Sequence, residues 1–186
     1  MKRLWVSLTS TRSVILLVAA LFALTGASAT ASNGKANDFT ARLNGFQEVT
    51  PKLTNGTGSL GLHLSSDGTQ ISYTLSYSGM PTDAHAAHLH FAQRGVNGAV
   101  FVFLCGGGGK PACPPAGGTV SGTITAADIL AVPDQAITAG DFAGALRILR
   151  SGDAYANVHT TQFPGGEIRG QVRAGGVEDT DNTGEQ

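Results

Sequence analysis

The sequence lacks several features that would place it in a familiar class of protein. After the N-terminal segment there is no apolar run of about 20 residues, the length that a transmembrane helix needs. Gly-x-Ser-x-Gly, His-Glu-x-x-His and phosphate-loop motifs are absent, so the chemistries that depend on them have no support. No internal repeat of useful period is visible. The sequence therefore favours a protein without enzymatic activity and leaves an enzyme as the alternative.

The N-terminal residues 1–31 have the pattern of a secretory signal peptide. Basic residues come first, residues 13–24 are apolar (SVILLVAALFAL), and small residues in the order Ala-x-Ala follow at 27–31. No cysteine lies at the cleavage point, which argues against a lipoprotein. We predict cleavage after Ala29 or Ala31, no membrane span after cleavage, and a secreted location, in the periplasm or at the cell exterior; an uncleaved N-terminal anchor is the alternative.

Positive charge is scarce in the rest of the chain. Of the 12 Lys and Arg, Lys2, Arg3 and Arg12 belong to the predicted signal peptide, which leaves 9 basic and 13 acidic residues, a net charge of −4. Nucleic-acid binding needs a clustered basic face, so we predict no nucleic-acid partner. The end of the chain, residues 174–186, is acidic and free of aromatic residues, and we predict a disordered tail there.

Cysteine occurs only at positions 105 and 113. The spacing Cys-x7-Cys does not fit a thioredoxin-like redox motif, and an even number of cysteines in an exported chain indicates a disulfide. We therefore predict a Cys105–Cys113 bond, with two free thiols as the alternative. The glycines at 106–109 lack the lysine and hydroxyl of a phosphate loop and are interpreted as a flexible linker. Closing such a loop contributes on the order of 2–3 kcal/mol.

Glycine, in contrast, is abundant, with 26 in the chain, and it separates short apolar and β-branched stretches. In residues 59–65 and 70–77 apolar and polar residues alternate, and the turn signal between them predicts a β-hairpin. Other strands are predicted at residues 39–43, 86–91, 99–104, 119–124, 154–160 and 168–172. Eight short strands with turns between them predict an all-β, two-sheet antiparallel sandwich.

Two stretches break the alternation and predict short helices. Residues 125–130 begin with a capping threonine and predict one helical turn. Residues 141–150 begin with Asp141 as an acidic N-cap, and their apolar residues fall at helical spacing. We expect this second helix to lie across one end of the sandwich.

Several segments resemble the chordin-type (CHRD) domain family, here in an exported chain of bacterial type. They are residues 39–51 (FTARLNGFQEVTP), 87–90 (AHLH), 95–98 (GVNG), 118–124 (GTVSGTI), 150–160 (RSGDAYANVHT) and 163–171 (FPGGEIRGQ). The resemblance implies an immunoglobulin-like or Greek-key β-sandwich or barrel outside the cytoplasm, within a domain spanning 32–173. Animal members sit inside a secreted antagonist of growth factors. That partner has no reason to exist for this solitary domain, so the resemblance implies the fold better than the function.

The histidines carry the main functional signal. His88 and His90 are two apart on a predicted strand, so their side chains leave the same face. Imidazole nitrogens at that spacing can bind one metal ion, copper or zinc, at about 2.0–2.1 Å. His159 on a second predicted strand would complete a three-histidine site if the two strands are neighbours. The expected outer partners of these ligands are Asn157, Glu167 and Arg169. Glu167 and Arg169, which share one face of the following predicted strand, could alternatively supply a fourth ligand.

Two metal-free interpretations remain open for the same residues. The histidines can close a hydrogen-bond network near the end of the sheet, with Asn157, Thr160, Glu167 and Arg169. They can also be unrelated surface residues. His85 has the opposite strand parity and is interpreted as a loop residue. His63 faces away from its leucine neighbours and is predicted to face solvent.

A metalloenzyme is the competing functional class. His-x-His on a β-sandwich with a nearby disulfide loosely resembles copper-zinc superoxide dismutases. The chain departs from them, however, because it lacks the later histidine-rich zinc loop, the ligating aspartate and the fourth copper histidine. We therefore expect a secreted, non-enzymatic binding or matrix-associated module. Its partner would be an unidentified extracellular ligand or protein, and a metal-free structural interaction domain is a further alternative.

Overall fold

The structure, a computed structural model, describes residues 37–175. The predicted signal peptide and residues 176–186 of the predicted tail lie outside these residues. Ala174 and Gly175, the first two residues of that predicted tail, are described, and they pair with Phe39 and Asp38. The strands are β1 (Asp38–Asn44), β2 (Thr57–Leu64), β3 (Ile71–Ser78), β4 (Ala84–Phe91), β5 (Val100–Cys105), β6 (Gly118–Ile124), β7 (Ala154–Thr160), β8 (Ile168–Gln171) and β9 (Arg173–Ala174). Helix α1 (Phe142–Ser151) precedes β7, and short 3-10 turns occupy Gly45–Gln47, Ala126–Asp128 and Pro133–Gln135.

All strand pairs are antiparallel and belong to one sheet. The strand order is β5-β4-β7-β8-β1-β2-β3-β6, and β9 continues from β8 along β1. The edge strands β5 and β6 contact each other, and the Tyr73 hydroxyl on β3 donates to the Leu104 carbonyl on β5 at 2.6 Å. The all-β antiparallel class is confirmed. The arrangement is a nearly closed barrel, and one curved sheet replaces the two separate sheets that alternation suggested.

Alternation determines which residues fill the barrel. β2 and β3 pair from Thr57 with Ser78 to Leu64 with Ile71, as the predicted hairpin requires. The leucines of β2 point inward, where they are almost completely buried with Leu75 of β3. The interior is completed by apolar residues of the other strands, among them Phe39, Leu89, Phe101, Leu104, Val158 and Ile168. Burial of these side chains supplies the main stabilisation of the fold.

Helix α1 begins and ends where the sequence indicates. The Asp141 side chain accepts a hydrogen bond from the Gly144 amide at 2.8 Å, and Gly152 ends the helix with a left-handed φ of 79°. Its apolar face, including Ala145 and Leu149, is buried, and the helix contacts β7 and β9. Within residues 37–175, no helix has the length and apolar character to cross a membrane.

The disulfide loop is packed, which corrects its interpretation as a flexible linker. Cys105 at the end of β5 is bonded to Cys113. A side chain at Gly106 would overlap the carbonyl oxygen of His85, and one at Gly107 would lie 2.5 Å from the Phe103 ring. These glycines therefore allow the loop to lie directly on β4 and β5. The absence of side chains serves close packing here rather than mobility.

Loss of the disulfide is expected to lower the stability of the domain. Replacing Cys105 and Cys113 by serine should reduce the free energy of unfolding by about 2–3 kcal/mol. Denaturant titration of the variant and the wild type measures the difference. Intact mass and alkylation with and without reductant report the bond itself, and alkylation of both thiols in untreated protein would contradict it.

Candidate metal site

The strands β4, β7 and β8 are buried on both faces, which is unusual for a barrel whose outer face normally meets solvent. Every residue of β7 is buried. Its even-numbered residues point into the barrel, whereas Tyr155, Asn157 and His159 point outward. On β4, His88 lies opposite Asn157 and His90 lies opposite Tyr155. The pairing of β4 with β7 therefore places the three histidines on one outer face.

This face forms a layer of polar side chains between the barrel and its loops. We call it the outer polar layer, and it comprises His88, His90, Tyr155, Asn157, His159 and Arg169. The loops 45–56, 92–98 and 161–167 cover it. They are joined to the layer and to one another, as where the Asn97 side chain contacts the Val49 carbonyl at 3.5 Å. The layer is thus desolvated without being part of the apolar core.

The three imidazoles of the layer converge. One nitrogen from each of His88, His90 and His159 lies within 4.8 Å of the others. Nδ1 of His88 is 3.0 Å from Nε2 of His159, and the His88 and His90 rings meet edge to face with centroids 5.6 Å apart. Three neutral imidazoles at such separations form a set of ligands suited to one transition-metal ion.

Backbone carbonyls determine which nitrogen of two imidazoles carries the proton. Nδ1 of His90 donates to the Gly98 carbonyl at 2.9 Å, and Nδ1 of His159 donates to the Pro164 carbonyl at 2.9 Å. A neutral imidazole with a protonated Nδ1 has a lone pair on Nε2. Both Nε2 atoms lie 3.0 Å from Oδ1 of Asn157. The loops 92–98 and 161–167 therefore orient these two rings so that an Nε2 lone pair of each faces Asn157.

Burial keeps the imidazoles neutral. Burial, together with the neighbouring His159 and His90, lowers the pKa of His88 to about 3. Burial also lowers the pKa of His90 to about 4 and shifts the pKa of His159 in the same direction. Only neutral imidazole binds a metal, so the site needs no proton loss from these rings near neutral pH.

Comparison with known families agrees with this fold. A sequence model of the CHRD domain matches residues 39–172 of the chain.

The chain belongs to the CHRD domain family. No curated protein and no solved structure gives a significant match to it. The matched part of the CHRD domain spans β2 to β8 completely and contains the whole outer polar layer.

The expected outer partners differ in how they reach the histidines of this CHRD domain. Asn157 contacts His90 and His159 directly. Arg169 acts through Tyr155, because its guanidinium lies 3.4 Å from the centroid of the Tyr155 ring, which stacks on His90 at 4.5 Å. Glu167, the third expected partner, does not hydrogen-bond to the histidines. Glu167 accepts hydrogen bonds from Thr54 and Thr160, both at 2.6 Å.

The sequence reasoning missed Glu48 of the CHRD domain. Its side chain is only 5% exposed, and Oε1 has no hydrogen-bond partner among the described residues. Burial raises the pKa of this carboxyl, and the nearby Arg169 opposes that rise. Glu48 follows a 3-10 turn, so no strand alternation marked it. Its place in the CHRD-like segment 39–51 was the one available signal.

The two remaining histidines lie outside the cluster. His63 is exposed on β2 and its Nδ1 contacts Asp38 at 2.6 Å, in agreement with a solvent-facing residue. His85 was interpreted as a loop residue and instead belongs to β4. A bulge between Ala84 and Ala86 breaks the alternation there. The His85 ring is exposed, and its centroid is 6.2 Å from that of His159.

Proposed function

We propose that this CHRD domain is a secreted, non-enzymatic binding module that holds one transition-metal ion, copper or zinc, at His88, His90 and His159. The convergence of three imidazole nitrogens within 4.8 Å carries the proposal. The ligand orientation supports it, because the Gly98 and Pro164 carbonyls leave the Nε2 lone pairs of two rings directed into the layer.

Two other functions compete with this one. A copper-zinc enzyme of the dismutase type would use a pair of metals. Within residues 37–175 only one group of three metal-ligating side chains is present, which favours a single ion. A metal-free interaction domain would use the imidazoles as a hydrogen-bond network. Under that function, metal affinity would be absent, so metal titration separates the two.

Copper titration of the purified protein, without a histidine tag, tests the proposal. We expect one equivalent of copper to bind. Copper should also bind more tightly than zinc, because sites of nitrogen ligands generally have a higher affinity for copper. The variant His88→Ala/His90→Ala should lose this binding. His63→Ala/His85→Ala is the matched control, because it removes the same number of imidazoles from exposed positions and should retain it. Wild-type affinity no greater than that of His88→Ala/His90→Ala would contradict a metal site.

A further inference from the structure

Three hydrogen-bond acceptors, Nε2 of His90, Nε2 of His159 and Oδ1 of Asn157, lie close together in the outer polar layer, and no proton lies between Oδ1 and either nitrogen. His90 and His159 each give their Nδ1 proton to a backbone carbonyl. Their Nε2 lone pairs then face Oδ1 of Asn157, which is also an acceptor, at 3.0 Å from each. Two lone-pair contacts at this distance are repulsive in a buried site. A cation bound between the three atoms would turn the repulsion into attraction.

We propose that the side-chain carbonyl of Asn157 is the fourth ligand of the metal ion, so that the site is a closed set of three nitrogens and one oxygen. This inference rests on the proposed function. Ligands about 2.0–2.1 Å from a tetrahedral ion are about 3.3 Å apart. The 3.0 Å separations of Oδ1 from both Nε2 atoms are close to that value, as is the 3.0 Å between His88 Nδ1 and His159 Nε2. The largest separation among the three imidazole nitrogens, up to 4.8 Å, would shorten when the ion binds.

Glu48 supplies an independent reason for this amide orientation. The Glu48 carboxylate and Nδ2 of Asn157 both lie beside Gly166. A side chain at Gly166 would come within 2.5 Å of Glu48 Oε1 and 3.1 Å of Asn157 Nδ2. A carboxylate attracts the amide NH2 group and repels the amide oxygen. Glu48 is therefore assigned as a positioning residue that favours the orientation of Asn157 Oδ1 toward the imidazoles through its charge, since its Oε1 makes no hydrogen bond within the described residues.

A fourth protein ligand determines what the ion can do. Zinc-type sites with four protein ligands are structural, whereas catalytic sites keep one position open for water or substrate. With Asn157 bound, the ion would join β4 to β7 without an open position, and the Gly98 and Pro164 carbonyls would connect two of its ligands to the loops 92–98 and 161–167. The site would thus retain its ion as part of the fold, which distinguishes it from the metalloenzyme alternative.

Water-proton relaxation of the copper-loaded protein tests the closure. Paramagnetic copper with an exchangeable bound water shortens the relaxation time of bulk water strongly. The wild-type protein should show no such bound water, whereas Asn157→Leu, which keeps the branched side-chain shape but has no ligand atom, should gain the relaxivity of one. Strong relaxivity in the wild type would overturn the fourth ligand and leave the three-histidine site standing. No copper binding at all would overturn both.

The role of Glu48 has its own test with a matched control. Glu48→Gln should weaken copper affinity about 10- to 100-fold, the usual effect of losing an outer partner of a ligand, and should raise relaxivity. Glu167→Gln makes the same change at another buried glutamate, one that contacts Thr54 and Thr160 instead. It should leave affinity and relaxivity unchanged. Equal affinities and relaxivities for Glu48→Gln and the wild type would overturn the positioning role.

Discussion

Acidification from neutral pH to about pH 4 is expected to destabilise the metal-free domain by several kcal/mol. His88 and His90 have folded-state pKa values of about 3 and about 4, against 6.5 for an unperturbed histidine. The unfolded chain therefore takes up protons first as the pH falls. With respect to these two histidines, the domain has its full stability above pH 6.5, and its free energy of unfolding decreases as the pH falls from 6.5 toward the folded-state pKa values. One pKa unit corresponds to about 1.4 kcal/mol, so His88 alone accounts for on the order of 3 kcal/mol.

Urea denaturation in the presence of a chelator, across this pH range, measures the effect. Protonation of Asp67 and Asp128 also destabilises the domain in acid. Their folded-state pKa values are below the ordinary 3.8, so this loss of stability occurs mainly below the range of pH 6.5 to 4. Burial raises the pKa of Glu48, so protonation of this carboxyl increases the stability of the domain as the pH falls and opposes the effect of the histidines. His88→Gln/His90→Gln should flatten the dependence. A wild-type stability that stays constant between about pH 6.5 and 4 would show that the rings are not held neutral.

Alternation carried most of the fold prediction because each strand has one face toward the barrel. It located the hairpin of β2 and β3 and the strands that contribute His88 and His159. It did not show that β8 and β9 bridge β7 to β1 and so join two expected sheets into one. The joining of these sheets depends on strand pairing between residues that are distant in sequence, such as Asn44 and Arg169, and no local sequence pattern indicates such pairing.

The candidate site was predictable only in part. A spacing of two on a strand brought His88 and His90 to one face, and their convergence with His159 required the pairing of β4 with β7. Burial of this face was not predictable, because alternation assigns it to solvent. The loops 45–56, 92–98 and 161–167 bury it, and loop positions follow from tertiary contacts. Glu48 lies on such a loop, which is why its role appeared only in the structure.

Replacement of Arg169 is expected to be among the most destabilising single changes in the domain. The side chain is 1% exposed, and its guanidinium donates to the Gln93 and Val96 carbonyls at 3.1 and 2.8 Å. It also stacks on Tyr155 and stabilises the buried carboxylate of Glu48. Arg169→Met would leave these carbonyls and that carboxylate without their cation. Removing one partner of a buried charge pair typically lowers stability by about 3–5 kcal/mol.

Denaturant titration at neutral pH, with three companion variants, identifies the cause of this loss. Arg42→Met on the exposed face of β1 should change stability by no more than about 0.5 kcal/mol. Arg169→Lys should recover little, because an ammonium group lacks the planar fork that stacks on Tyr155 and reaches two carbonyls. Adding Glu48→Gln to Arg169→Met should recover part of the stability, because the uncompensated carboxylate is removed. The free-energy change caused by Glu48→Gln is therefore measured in the wild type and in Arg169→Met. If Glu48→Gln destabilises both proteins by the same amount, Arg169 is not coupled to Glu48 and stabilises the loop 92–98 instead.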